Sequence, residues 1–347
     1  MEILDTTIRD GSYAVDFKFS CEDVKNLVSK SNRIGINYIE IGHGMGLNAS
    51  SSINGISLHS DIEYMVAAKE ASPASKLGFF CIPGIARIED LHLCKEYGMY
   101  FIRVGINVTE YKRIKKYVEE AKKLGLHVAV NYMKSYVASP QEFSEATSYA
   151  SKCGADCIYI VDSAGCMLAE DIDEYINVIR QTSNIKIGFH GHNNIGLAVS
   201  NSIHCVLTGV DYIDCSYQGL GRSCGNASLE QFVMVLEKMG IGTQMDLPRV
   251  LEYGYSALRN IVNQEKLTNP LDYVCGYAGF HSSYLKDVYR CCVENKVDPL
   301  RLLIEYSKEN RISLDYSRLN QVAKRLPKDM DLNPYSFADY FSDRYYI

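Results

Sequence analysis

The sequence lacks several features that would point to particular classes of protein. No apolar run approaches the roughly 20 residues that a membrane-spanning helix needs, and no secretory signal precedes the first apolar run. We therefore predict a cytoplasmic protein without a membrane partner. The net charge of −6 comes from acidic and basic residues mixed along the chain, with no basic stripe. Nucleic acid is thus not an expected partner.

Cysteine pairs with the C-x-x-C spacing are also missing. The chain has 12 cysteines but no C-x-x-C pair, and many of them lie inside apolar runs such as "FFCIP" and "ADCIYIVD". Scattered cysteines of this kind are typical of small buried side chains in a reducing compartment. The pattern argues against a disulfide framework and against a metal or redox site built from cysteines.

What the sequence does contain is a repeated alternation of short apolar runs and helical stretches. Helix signals separate the runs: Ser20 and Thr109 are predicted N-caps, and several helices close on glycine. Eight such units predict a (β/α)8 barrel over residues 1–245, and a doubly wound open sheet is the alternative. The eight runs are "EILDTTI", "NYIEIGHG", "KLGFFCIP", "YFIRVGIN", "HVAVNYMK", "CIYIVDSAG", "KIGFHGHNN" and "YIDCSYQGLG".

The alternation of strand and helix patterns stops after the eighth unit. Residues 246–347 contain no further strand pattern and read as amphipathic helices, so we predict a helical C-terminal region that could dock a partner. Its tyrosine-rich end, "PYSFADYFSDRYYI", is either packed against the protein or loose.

Polar residues gather at the predicted C-terminal ends of the strands, where barrels of this type carry their active sites. In "FHGHNN", His190 and His192 point to the same face because strand side chains alternate. Asp10 ends strand one, which is close to strand seven in a closed barrel. Two imidazoles and one carboxylate predict a divalent metal site with open positions. Mn²⁺ or Mg²⁺ is favoured, and Zn²⁺, Co²⁺ and Fe²⁺ stay open.

Other polar residues at the strand ends are candidates for the site, and three of them have a structural role as the alternative. Arg9 is either a strand-end salt bridge or a guanidinium that holds the carboxylate and enolate oxygens of a 2-oxo acid. Glu40 is either part of the barrel interior or part of the site. Asp162 either caps the following turn or binds substrate, and His43 is a candidate substrate-binding residue at the end of strand two.

Six motifs together resemble one family of enzymes. They are "DTTIRDG", "IEIGHGMGL", "VDSAG", "HGHNNIGLAVSNSI", "GLGRSCGNASLE" and "YAGFHSSYL". They look like the metal-dependent 4-hydroxy-2-oxovalerate aldolases, which are related to 3-hydroxy-3-methylglutaryl-CoA lyase and isopropylmalate synthase.

The resemblance assigns roles to individual residues. It implies that Asp10, His190 and His192 bind the metal with Asn226 as a further ligand, that Arg9 steadies the pyruvate enolate, and that Ser135 lies near the substrate carboxylate. It also implies that the C-terminal region contacts an acylating aldehyde dehydrogenase, and we expect an oligomer.

The implied reaction is carbon–carbon cleavage of a 4-hydroxy-2-oxo acid into a small 2-oxo acid and an aldehyde. A Claisen-type synthase that joins an acyl-CoA to a 2-oxo acid is one alternative, and a barrel that has lost catalysis and serves as a binding subunit is another. Lys134, at the end of strand five, could form a Schiff base, although the metal mechanism needs none.

Two positions depart from the family pattern. Tyr13 stands where these aldolases have a histidine base, and His281 stands where they have a catalytic tyrosine, so the two residue types have changed places. We predict that His281 is the general base, because the imidazole pKa of about 6.5 suits proton transfer at neutral pH. Tyr13 then orients or donates. The alternative is that His281 only caps a helix.

Overall fold

The computed structural model describes residues 1–262, 267–281, 284–310 and 313–328. The chain divides into two compact units, Met1–Phe232 and Val233–Ile347. The sequence predicts a domain boundary at residue 245, after the helix that completes the eighth unit. In the structure the division falls inside that helix.

The first unit contains a closed barrel of eight strands that pair in sequence order. The pairs are parallel, and β8 returns to β1 with Leu4 opposite Asp214. The closure excludes the open doubly wound sheet and confirms the predicted (β/α)8 fold. The strands are β1 Glu2–Asp5, β2 Tyr38–Ile41, β3 Lys76–Cys81, β4 Phe101–Asn107, β5 His127–Met133, β6 Cys157–Asp162, β7 Lys186–Gly191 and β8 Tyr212–Cys215.

Helices follow the strands, and one of the two predicted N-caps is confirmed. Ser20 begins the first helix with a capping box, since its side chain accepts the Asp23 N–H at 3.1 Å. The Thr109 prediction is wrong: Thr109 lies in the 3-10 helix Val108–Ile114, in which Glu110 departs from helical angles. The helices are α1 Cys21–Arg33, α2 Asp61–Ala71, α3 Ile88–Glu96, α4 Lys115–Lys123, α5 Pro140–Cys153, α6 Ala169–Thr182, α7 Ala198–Leu207 and α8 Leu229–Lys238.

The barrel interior is layered because inward residues recur every second position along each strand. The layer near the strand starts is largely apolar and includes Leu4, Phe101 and Tyr212. Two residues further along, the inward positions of four strands are polar and buried: Glu40, Arg103, Asn131 and Asp214. This polar layer lies beneath the strand ends where the chemistry was expected.

The described part of the second unit is helical. It contains α9 Leu247–Leu258, α10 Pro270–Ala278, α11 Leu285–Asn295, α12 Pro299–Ser307 and α13 Tyr316–Arg325. Within this unit α10 packs on α12, and α11 packs on α13. The tyrosine-rich end at residues 334–347 lies outside the described residues. Among the helices that are described, none is both long enough and apolar enough to cross a bilayer.

Candidate metal centre and substrate cavity

A cavity of about 240 Å³ opens at the C-terminal ends of the barrel strands. Its lining comes from the ends of several different strands and from the loops after them, as the fold predicts. The lining includes Arg9, Asp10, Tyr13, Gly44, Phe80, Asn131, Lys134, Ser163, His190, His192 and Arg222.

Three buried side chains of this cavity form a candidate metal-ligand cluster. Asp10, His190 and His192 each offer one ligand atom, and these atoms all lie within 4.8 Å of one another. The two imidazole rings are 5.0 Å apart and nearly perpendicular, at 89°. The predicted convergence of these three residues is therefore what the structure shows.

The second nitrogen of each imidazole fixes the tautomer. His190 Nδ1 lies 2.8 Å from Asp214 Oδ2, and His192 Nδ1 lies 3.2 Å from the Gly225 carbonyl. A carboxylate and a carbonyl can only accept, so Nδ1 donates in both rings and Nε2 is the nitrogen available to a metal. Burial, together with His190, lowers the pKa of His192 to about 4, so this ring is neutral at pH 7.

The carboxylate of this cluster, Asp10, is ionised in spite of its burial. Burial by itself raises the pKa of Asp10. The lowering by Arg9 and the two histidines is larger, so the pKa lies well below its usual value. Arg9 Nη1 donates to one carboxylate oxygen at 2.6 Å, and the Arg222 backbone N–H donates to the other at 3.2 Å. Two imidazoles that present Nε2, together with a carboxylate, are a suitable donor set for a divalent cation.

Arg9 is held from two sides. Its Nε donates to Glu40 at 2.7 Å while Nη1 donates to Asp10, and the guanidinium carbon lies 4.8 Å from the centre of the Phe80 ring. Only 5% of the residue is exposed, yet it lines the cavity. Burial opposes its charge, but Glu40 and Asp10 raise the pKa of Arg9 above its usual value. Both readings of Arg9 are thus compatible, because the salt bridges orient a cation at the cavity wall.

Sequence reasoning missed Arg103, which connects the residue that orients Arg9 with the residue that orients His190. This fully buried side chain donates to Glu40 at 3.0 Å, to Asp214 at 2.6 Å and to Asn131 at 3.2 Å. Glu40 holds Arg9 and Asp214 holds His190, so one guanidinium supports both. The available signal was a charged residue at an inward position of the apolar run "FIRVGIN".

Asn226 lies beside the cluster. Its backbone forms an isolated antiparallel β-bridge with that of His192, and its side-chain Nδ2 donates to the Leu220 carbonyl at 3.2 Å. Its buried Oδ1 has no hydrogen-bond partner within the described part of the chain. An orphaned buried carbonyl oxygen is a group that a cation would satisfy, although a ligand role for Asn226 stays a prediction.

His43 has other partners. Its Nδ1 accepts the Met45 N–H at 3.0 Å, its Nε2 donates to the Gly55 carbonyl at 3.2 Å, and its ring stacks on Phe17 at 4.0 Å. Burial lowers the pKa of His43. The residue is not part of the cavity lining. These contacts stabilise the loop after β2. Substrate binding by His43 stays a prediction.

Ser135 and Asp162 also bond to backbone. Ser135 Oγ donates to the Tyr132 carbonyl at 2.8 Å and accepts the Val161 N–H at 2.9 Å. Asp162 accepts the N–H groups of Cys166 and Met167, both at 3.0 Å. These bonds match the turn-capping reading of Asp162, and neither residue lines the cavity. Their substrate contacts stay predictions that depend on the resemblance.

Tyr13 lines the cavity. It is partly buried at the cavity wall, edge-on to Phe17 at 5.1 Å, with the Arg222 guanidinium 5.9 Å from its ring centre. Burial raises the pKa of Tyr13, so its phenol is protonated at neutral pH and can donate. A Cβ at Gly44 would come within 2.4 Å of this ring, which explains the glycine.

His281 is an exposed residue of the second unit, in the segment that follows α10. Its ring lies 6.4 Å from the Tyr284 ring. Its role as the base stays a prediction.

Comparisons with known proteins agree with the motifs. A family model described as HMGL-like matches residues 1–255. A 4-hydroxy-2-oxovalerate aldolase of Moorella thermoacetica is 33% identical over 94% of this chain and 96% of that protein. An oxaloacetate decarboxylase of Mycobacterium tuberculosis is 35% identical over 81% of this chain and 83% of that protein. The HMG-CoA lyase structure of Bacillus subtilis has a TM-score of 0.65 at 18% identity, covering 75% of this chain and 93% of that one, which shows a shared fold.

Proposed function

The chain belongs to the HMGL-like family, and we propose that it is a divalent-metal-dependent aldolase that cleaves or forms a 4-hydroxy-2-oxo acid with pyruvate as one component. The observation that carries the proposal is the buried cluster of Asp10, His190 and His192 with Arg9 fixed beside it. The relatives named as aldolases favour this activity over the Claisen-type synthase and over a binding subunit.

The residues present fit a divalent cation. Asp10, His190 and His192 would hold it, and the unpartnered Oδ1 of Asn226 supports that residue as a further ligand. When bound, the cation supplies a Lewis acid for the oxygens of the 2-oxo acid. We propose Mn²⁺, with Mg²⁺, Co²⁺ and Zn²⁺ as alternatives, because the site offers both nitrogen and oxygen ligands.

The chain's own residues supply the charge stabilisation and the proton transfer. Cleavage breaks the C3–C4 bond, moves the electron pair of that bond toward the C2 oxygen and removes the proton of the C4 hydroxyl. Arg9 is oriented by Glu40 and Asp10, so its guanidinium can stabilise the negative charge that develops on the C2 oxygen without reorganising. No lysine Schiff base is required.

For the proton we propose His281 as the base and Tyr13 as the group that orients or donates. The exchange of residue types at positions 13 and 281 supports this assignment, as does the protonated phenol of Tyr13 at the cavity wall. Ser135, His43 and Asp162 remain proposed substrate-binding residues on the resemblance alone.

The test is pyruvate release from a panel of 4-hydroxy-2-oxo acids by metal-free protein, with and without added Mn²⁺. We expect metal-dependent release that His192→Ala abolishes and that His204→Ala leaves intact, because His204 pairs with Asp173 on the helices outside the cavity. A product that appears only with acyl-CoA would favour the synthase. No turnover with any substrate would favour the binding subunit.

We also propose a cytoplasmic location, an oligomer, and an acylating aldehyde dehydrogenase as partner of the C-terminal region. The support for the partner is the resemblance in "YAGFHSSYL". Co-purification of the dehydrogenase with the full chain, and its loss when residues 246–347 are deleted with the barrel still binding Mn²⁺, would support the pairing.

A further inference from the structure

Two of the cations that line the cavity have no acidic partner at salt-bridge distance among the residues that the structure describes. Arg9 is balanced by Glu40 and Asp10. Lys134, directly after β5, and Arg222, in the loop after β8, form no salt bridge with any described residue. Unmatched positive charge at the mouth of a cavity attracts and retains anions.

The nearby acid is already engaged. Glu110 is close enough to Lys134 for that charge to help lower its pKa, but the main cause is its hydrogen bond with Arg113. Its carboxylate oxygens bond Arg113 at 2.7 Å and Asn107 at 3.1 Å. Glu110 therefore does not neutralise the two cations at the cavity.

Both residues contact Ser163, although they follow different strands, β5 and β8. The Lys134 backbone N–H donates to Ser163 Oγ at 3.0 Å, and Arg222 Nη2 donates to the Ser163 carbonyl at 3.4 Å. The Arg222 backbone also bonds Asp10 at 3.2 Å, so its side chain starts beside the metal-ligand cluster and extends to Ser163. Both residues thus line the same cavity as Ser163 and contact it directly.

The backbone at Lys134 is also unusual. This residue adopts a left-handed conformation, with φ 57° and ψ 44°, which costs a residue with a Cβ about 1 kcal/mol or more. Conformations of this kind persist where surrounding contacts fix them, and they cluster at ligand sites. Here the contact with Ser163 holds the backbone from which the lysine side chain extends.

We infer that Lys134 and Arg222 form a second anion subsite, so that the substrate is a 2-oxo acid carrying another anionic group, a carboxylate or a phosphate, at its far end. This inference rests on the proposed function, because it takes the 2-oxo acid end to be bound at the metal centre and Arg9. The cavity of about 240 Å³ is smaller than typical drug-sized sites, so both ends of a short substrate lie close to charged groups.

The test compares the binding of two ligands that cannot undergo the cleavage. 2-Oxopentanoate and 2-oxoglutarate have the same chain length and the same 2-oxo acid end, lack the C4 hydroxyl, and differ in the terminal carboxylate. For Mn²⁺-loaded protein at low salt, calorimetry should show 2-oxoglutarate binding about tenfold or more tightly. The analogue with a terminal phosphonate distinguishes phosphate from carboxylate as the preferred anion.

Variants locate the effect. In the double variant Lys134→Gln/Arg222→Gln the ratio of the two affinities should fall to about one, since both side chains are replaced by neutral ones. Lys116→Gln removes an exposed charge from α4 outside the cavity lining and should preserve the ratio. The three altered side chains are exposed, so folding is expected to be retained, with circular dichroism as the check.

Two results would overturn the inference: equal affinities in the wild type, or a ratio of affinities that survives in the double variant. If the ratio survives because both affinities fall equally, these cations bind the common carboxylate. Failure of the proposed aldolase looks different. It appears as absence of pyruvate release while the affinity ratio stands. Absence of binding for both ligands would refute the subsite, and pyruvate release would still decide the proposed aldolase.

Discussion

Replacing Arg103 with methionine should destabilise the barrel strongly. Arg103 is 0% exposed and is the shared partner of Glu40 and Asp214, at 3.0 and 2.6 Å. Removing it leaves two buried carboxylates. One oxygen of each, Glu40 Oε1 and Asp214 Oδ1, already lacks a partner among the described residues, so no spare bond compensates. Breaking a buried ion pair in this way costs about 3–5 kcal/mol.

The loss should depend on pH. Burial raises the pKa of Asp214, but Arg103 and His190 outweigh burial and hold the pKa below its usual value. The folded state of the wild type therefore gains stability above the unfolded pKa of about 3.9, and this gain is lost as pH falls through the folded value. Without Arg103 the burial effect dominates and the pKa rises. The deficit of Arg103→Met should consequently be larger at pH 8 than at pH 5.

The assay is urea unfolding followed by circular dichroism, because the chain has no tryptophan to report by fluorescence. Hydrogen exchange in peptides from β2, β4 and β8 would locate the loss in the barrel. Arg103→Lys is the matched control: it keeps one positive charge but not the fork that reaches both acids, so it should recover only part of the loss. A methionine variant within about 0.5 kcal/mol of the wild type at both pH values would refute the reasoning.

Three further predictions concern single residues. Asp214→Asn should weaken Mn²⁺ binding about 10–100-fold in calorimetry, because His190 loses the carboxylate that orients it, and unchanged affinity would contradict this role. His281→Ala should lower kcat about 10²–10⁴-fold with Mn²⁺ affinity intact, whereas near-normal turnover would remove His281 as the base. His43, whose pKa burial lowers, should make the wild type lose stability as pH falls below about 6.5, the unfolded value. His43→Gln should weaken that dependence, and identical pH profiles of thermal unfolding would count against it.

The gathering of the three candidate metal ligands could be predicted because it follows from period and topology. Alternation along a strand puts His190 and His192 on one face, and closure of the barrel brings Asp10 to them, so no side-chain detail is needed. The same logic identified the eight strands. It depends on residue spacing and chain order, both of which are visible in the sequence.

Other features depend on contacts that spacing does not reveal. The partners of Arg103 are 63 and 111 positions away, so nothing local marks them. Ser135 and Asp162 were found at the expected strand ends, yet their side chains satisfy nearby backbone groups, because short polar side chains readily bond locally. Thr109 looked like a helix cap, but Glu110 bonds Asn107 and interrupts the helix there.

The space that Gly44 leaves for Tyr13 makes these two positions a matched pair for engineering. A Cβ at position 44 would lie 2.4 Å from the ring, so Gly44→Ala alone forces the phenol to move within the cavity. Tyr13→His alone removes part of the ring that fills this space. A library intended to restore a histidine at position 13 should therefore vary position 44 at the same time, and among relatives the volumes of these two side chains should change in opposite directions.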